Sequence, residues 1–148
     1  MIDNEYIIQL HHLMVEAMKA KDTKRCNIYK NIISELQKAL TSEEPIDPDN
    51  ESCHRFVNKL YNDRKKDAKL AMKAGRQDIV DENLYEAEVI ASILPIFPTK
   101  EKIREYVESL DIELSKKNMS TIINKAKEHY VSYDNDELRE TILSIING

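Results

Sequence analysis

The chain has 148 residues, of which 41% are hydrophobic and 33% charged, and its formal net charge is −5. That balance describes a folded protein rather than a disordered one, with room for one domain or a main domain and a small second lobe. It excludes a generally basic nucleic-acid binder, and no window approaches the roughly 20 apolar residues that cross a bilayer, so a soluble protein without membrane association is expected.

Glycine occurs only twice, β-branched runs are short, and apolar residues recur at three and four, so helix is expected nearly throughout. The opening MIDNEYIIQLHH has no basic region leading to a cleavage site, so no secretory signal is expected. The first helix runs from about Asn4 to Ala20, with Tyr6, Leu10, Leu13, Met14 and Ala17 on its inner face. Asp22 or Thr23 is the next N-cap, and the second helix continues to about Leu40, burying Ile28, Tyr29, Ile32, Ile33, Leu36 and Leu40. The short loop between them implies antiparallel neighbours.

TSEEPIDPDN, residues 41 to 50, is a linker, because two prolines break helix and push their preceding residues toward extended geometry. A third helix spans about Glu51 to Ala74 and stops at Gly75, which suits the left-handed position after a helix end. A fourth restarts near Gln77, with Asp78 in its first turn, and runs to about Ile93. LPIFPTK then opens a smaller lobe of three helices. The first follows a Thr99 cap to about Leu110, and the second follows Asn118 or Ser120 to about Tyr130. The third opens on a capping-box pair, Asp134 with Glu137, and ends near Ile146. The expected architecture is therefore all-α, with a bundle of about four helices over residues 1–95 and a C-terminal lobe over 96–148. AMKA occurs at 17 and again at 71, but four good helix formers recur by chance, so no structural repeat is expected.

Charge is segregated along the chain. Residues 41 to 54 carry five acids and no Lys or Arg; residues 55 to 76 carry eight basic groups and two acids; residues 77 to 92 carry five acids and no base. At about 100° per residue, Arg55, Lys59, Lys66, Lys69, Lys73 and Arg76 fall within one narrow face of the third helix, opposite Val57, Leu60, Ala68 and Ala71. Two readings follow: a solvated face that aids solubility, or a track for the phosphates of a nucleic acid. Arg64 sits in the middle of the apolar face and so must be paired, with Glu35 or Glu86 as partner.

The sequence shows no catalytic set. Cys26 and Cys53 lack CxxC spacing and read as two reduced intracellular thiols, a single disulfide being the alternative. Cys53 stands near a helix N-terminus, where its pKa could be lowered, against the alternative of an inert thiol. Its neighbour His54 points about 100° away, so the two make no dyad. His11 and His12 have no second ligand at helical spacing, so no metal is assigned. Phosphate-loop and dinucleotide glycine patterns are missing, and no cofactor is assigned. The seven tyrosines lie mostly at inner-face spacing and read as core rather than as stacking platforms, with Tyr133, in a loop, left open.

Ala17-Met18-Lys19-Ala20-Lys21-Asp22 followed by Arg25 resembles the N-terminal signature of the YqeY family. Lys59, Arg64, Ala74-Gly75-Arg76-x-Asp78-Ile79, Glu86 and Leu94-Pro95 are similar to its central motif. The likeness covers roughly residues 5 to 110 and marks Lys19, Asp22, Arg25, Arg64, Gly75, Asp78 and Glu86 as motif positions. YqeY proteins are related to the tail domain of the B subunit of the tRNA-dependent amidotransferase. The resemblance implies an all-helical protein linked to tRNA and to translation. At family level it also implies a carbon–nitrogen ligase activity with glutamine as amido donor. In the amidotransferase the chemistry lies in other domains, while the tail domain helps to hold tRNA. The expected function is thus a non-catalytic accessory protein binding tRNA through the basic helix, or else an adaptor for an acidic partner such as an amidotransferase or aminoacyl-tRNA synthetase subunit. The compartment implied is the cytoplasm, or an organelle matrix once a transit peptide is removed. Where relatives carry glycine-rich turns in the last lobe, this chain reads NMSTIINKAKEHY and VSYDNDE, with no glycine between Gly75 and Gly148.

Overall fold

The structure is a computed structural model that describes residues 4–148; the first three residues of the acidic opening lie outside the described residues. Seven α-helices follow one another without a strand among the described residues: α1 (Glu5–Lys19), α2 (Thr23–Thr41), α3 (Asn50–Lys73), α4 (Gln77–Ser92), α5 (Lys100–Ser109), α6 (Met119–His129) and α7 (Asn135–Asn147). A 3₁₀ turn over Lys116–Asn118 leads into α6. The all-helical expectation holds. The chain divides into two units, the first ending at Leu94 and the second running Pro95–Gly148.

Helix starts follow side-chain capping. Asn4 accepts from the Ile7 N–H at 2.8 Å, Asp22 from Arg25 at 3.0 Å, Asp49 from Ser52 at 2.8 Å and Thr99 from Lys102 at 3.2 Å. Asp134 accepts from both Asp136 and Glu137. Each bond satisfies an N–H that the first helical turn leaves without a partner, worth about 1 kcal/mol. Asp49 starts α3 one residue earlier than expected, because its carboxylate reaches over Asn50 and Glu51 to the Ser52 N–H and hydroxyl.

In the first unit α1 packs on α2 and α3 on α4, making two helical hairpins. Their joints are built alike, contrary to the expectation for the two AMKA segments. After α1, the Asp22 N–H donates to Ala17 O at 2.9 Å and the Lys21 N–H to Met18 O at 3.0 Å. After α3, the Arg76 N–H donates to Ala71 O at 2.9 Å and the Gly75 N–H to Met72 O at 3.1 Å. Each pair is a Schellman closure, which needs one left-handed residue. Gly75 supplies it at φ 70°, and Lys21 does so without glycine, at φ 58°. Ala17 and Ala71 are buried at matching places, while Met18 and Met72 are exposed. The repeat is a joint, and the residue after the left-handed position (Asp22 or Arg76) is the N-cap of the returning helix.

Ile7, Leu10, Leu36, Val57, Val80 and Val89 of the four helices are all almost wholly buried. Side chains of this kind contribute about 1.5–3 kcal/mol each on burial. At the helix starts, Asn4 donates to Pro48 O, and the Tyr6 and His54 rings meet edge to face at 4.9 Å. The α2 residues expected inside are all buried, and Cys26 joins them. In α1 the expectation differs at three places: Ile7 is buried, Met14 is half-buried and Leu13 is 38% exposed.

The second unit encloses its own core of Ile103, Val107, Ile122, Ala126, Leu138, Ile142 and Ile145. Tyr133 packs against that core. Buried Ser132 donates to Pro95 O at 2.8 Å, tying the loop before α7 to the first residue of the unit.

Candidate nucleic-acid interface

Helix α3 is 24 residues long, about 36 Å, and its two faces differ in kind. Cys53, Val57, Tyr61, Ala68 and Ala71 are buried on one side. On the other, Lys59, Lys66, Lys69 and Lys73 are exposed and Arg55 is half-buried. Lys59, Lys66 and Lys73 stand two helical turns apart and form no ion pair within 4.0 Å among the described residues, so three cations are spread along about 21 Å. Arg55 and Lys69 engage other groups of the protein. Tyr61 is buried and Phe56 half-buried, so the ridge presents ammonium groups without an exposed aromatic ring.

Arg76 does not extend this ridge as the helical wheel implies. The backbone turns left-handed at Gly75, so a 100° step no longer sets the direction of the next side chain. The Arg76 guanidinium is held instead by Asp78, Nε to Oδ1 at 3.3 Å and an Nη to Oδ2 at 3.2 Å. This two-pronged bond raises the Arg76 pKa and holds the Asp78 carboxyl below the usual carboxylate range. The Gly75-Arg76-x-Asp78 segment is therefore a joint in which glycine turns the chain and the charge pair clamps the first turn of α4.

The other motif positions also hold the hairpins together. Asp22 caps α2. Arg25 donates from Nε to the Tyr29 hydroxyl at 2.9 Å and contacts the Ser92 hydroxyl at 3.4 Å, linking α2 to α4. The Tyr29 bond raises the Arg25 pKa. Lys24 lies over the Tyr85 ring at 4.5 Å, a second link between those helices. Lys19 is a surface residue loosely paired with Glu16 at 4.0 Å.

Arg64 is paired as its position demands, with Glu86 at 3.5 Å and Asp67 at 3.7 Å. Glu35, the other candidate, pairs with Lys38 instead. Arg64 is not deeply buried: its side chain is 36% exposed, because α3 there backs an open groove of about 510 Å³ between α2, α3 and α4. Ile32, Leu60 and Ile90 line the groove's apolar part, and Glu35, Arg64 and Glu86 contribute charge to its wall. Leu60 is half-buried for the same reason.

Cys26 and Cys53 are both free and buried. Burial pushes the Cys53 thiol up, overriding the lowering that its place near a helix start suggested, and Asn4 donates to its sulfur at 3.8 Å. A protonated, enclosed thiol is a poor nucleophile. Among the described residues no three His, Cys, Asp or Glu side chains are placed to hold a metal ion. No helix among them is long and apolar enough to cross a membrane.

The sequence reading missed one surface feature, a stack of Tyr106, His129 and Tyr130 in the second unit. Its only signal in the sequence is the adjacent His129-Tyr130 pair at the end of α6, since Tyr106 comes from another helix.

The family model described as Yqey-like protein matches residues 8–144, nearly the whole chain. No curated protein matches the sequence.

Proposed function

The chain belongs to the YqeY-like family, and from that premise we propose that it is a non-catalytic accessory protein of tRNA-dependent amidation that holds tRNA by its phosphates along α3. The observation that carries this reading is the row Lys59, Lys66, Lys69 and Lys73, exposed on one face of a helix in a chain whose net charge is −5. A cationic row without an exposed aromatic ring, in which Lys59, Lys66 and Lys73 form no ion pair among the described residues, attracts a polyanion, and phosphate contacts fix position without reading sequence. Broad binding to structured RNA follows, with little dependence on base order.

Six contacts would give log affinity a slope near −5 against log salt, as the sequence suggests. With Arg76 occupied by Asp78, and Arg55 and Lys69 engaged by other groups of the protein, Lys59, Lys66 and Lys73 give a slope of about −3 on duplex RNA. Fluorescence anisotropy with a labelled tRNA between 50 and 200 mM salt measures it. A flat response rejects the role of the ridge.

A second reading, an adaptor for an acidic protein such as an amidotransferase or synthetase subunit, draws on Leu70 and Met72, which are 56% and 63% exposed on the same helix. Apolar side chains beside lysines suit a protein surface better than a phosphate backbone. Replacing Lys66, Lys69 and Lys73 with Glu then abolishes capture of purified amidotransferase while RNA recovery stays unchanged. The phosphate reading expects the RNA to be lost.

A further inference from the structure

We propose that the second unit carries a base-stacking platform, His129 laid flat on Tyr106 with Tyr130 as its wall, that takes an unpaired nucleobase from a single-stranded segment of RNA. The inference rests on the RNA-binding reading above but uses a different unit and a different kind of contact.

The two tyrosines are held rigidly. The Tyr106 hydroxyl, on α5, donates to Lys125 O at 3.1 Å, and the Tyr130 hydroxyl, just past α6, donates to Lys102 O at 3.2 Å. These two bonds brace α5 against α6, and both tyrosines also pack on the unit's core. Their presence therefore has a structural reason. His129 has none of the same kind: it is exposed, and its side chain makes no hydrogen bond among the described residues. Its ring nevertheless lies 4.1 Å from that of Tyr106, only 12° from parallel. Tyr130 stands edge-on to both, 4.7 Å from His129 and 5.8 Å from Tyr106.

A parallel pair with one member exposed leaves the outer ring face to water, and a purine or pyrimidine extends such a stack. Rigid partners lower the ordering cost of that step. The charge nearby leans basic: residues 116 to 129 carry Lys116, Lys117, Lys125 and Lys127 against Glu128, with Lys117 paired to Glu113 at 3.7 Å and Lys127 engaged by another group of the protein. Glu105 on α5 adds a second carboxylate near Tyr130, so the platform itself favours the neutral face of a base, while Lys116 and Lys125 attract the phosphate backbone. This division complements the α3 ridge, which presents cations without an exposed ring.

The test uses an RNA hairpin in two forms, one blunt and one with a four-nucleotide 3′ overhang that contains 2-aminopurine. Because the chain has no tryptophan, 2-aminopurine emission reports stacking without interference. The full chain is expected to bind the overhang form about 5- to 150-fold more tightly than the blunt form, the range for stacking one base, and to change its emission. H129A, at an exposed position, should abolish both effects and leave blunt binding unchanged. Y106F, which keeps the ring and loses only the hydroxyl bond, should retain them. If the overhang brings no gain while the blunt hairpin still binds, or if H129A keeps the gain, the platform is wrong and the ridge stands. If neither RNA binds, both fall.

Discussion

Replacing Lys59, Lys66 and Lys73 together with Gln removes three charges from the α3 ridge while disturbing little else. All three side chains are exposed, and Gln is close to Lys in helix propensity, so folding should change by less than about 0.5 kcal/mol. Each lysine–phosphate contact adds about 0.9 to the salt slope, so the slope should fall from about −3 to near zero. At 0.1 M salt each contact contributes roughly eightfold in affinity, and three contribute roughly 500-fold. Anisotropy titrations of a labelled tRNA at four salt concentrations give both quantities, and thermal unfolding followed by circular dichroism checks the fold. An unchanged slope in a folded triple variant would refute the reasoning, since bound RNA would then be neutralised elsewhere.

The two hairpin joints predict opposite responses to glycine. G75A places a side chain at φ 70° with no atom within 4 Å to clash, so only backbone strain acts and stability should fall by about 1–2 kcal/mol. K21G relieves the same strain at φ 58° and should add up to about 1 kcal/mol; equal signs in urea unfolding would show that the joints are not equivalent. E86Q leaves Arg64 with Asp67 as its recorded ion partner and should cost about 1 kcal/mol in urea unfolding, the modest size reflecting half-exposed side chains. Burial pushes the His54 pKa below its usual 6.5, so below that pH the unfolded chain takes up a proton that the folded chain refuses, and stability held above pH 6.5 is lost on acidification. H54F, which keeps a ring against Tyr6, should remove this loss between pH 7.5 and 5.5. It should leave the later acid loss below about pH 4, where Asp49 and Asp78, held below the usual 3.8, become protonated. The same decline in both proteins would exclude His54.

Much of the fold and part of the site follow from local pattern. Spacing at three and four, capping residues at Asp22, Thr99 and Asp134, and prolines at 45, 48, 95 and 98 mark where helices start and stop. Amphipathic helices bury their apolar face wherever they pack, so the face of α2 and the opposition of lysines to core on α3 could be read in advance. The exposed row Lys59, Lys66, Lys69 and Lys73 is legible for that reason.

What remained hidden depends on a neighbour or on a change of backbone. Leu13 is exposed although its spacing places it on the inner face, and Arg64 is half-exposed because a groove opens beside it. Glu86 rather than Glu35 answers Arg64 because of where α4 lies relative to α3. Arg76 leaves the ridge because one left-handed residue ends the periodicity on which the wheel depends. The two AMKA segments look like coincidence until both are seen to close a helix on the next. The Tyr106–His129 stack brings together residues 23 positions apart on two helices. Sequence alone thus determined the helices and the charge each one carries, since those properties repeat every 3.6 residues within a segment. Only the tertiary structure decided which side chains meet, because contact between segments depends on where each helix ends and what its neighbour covers.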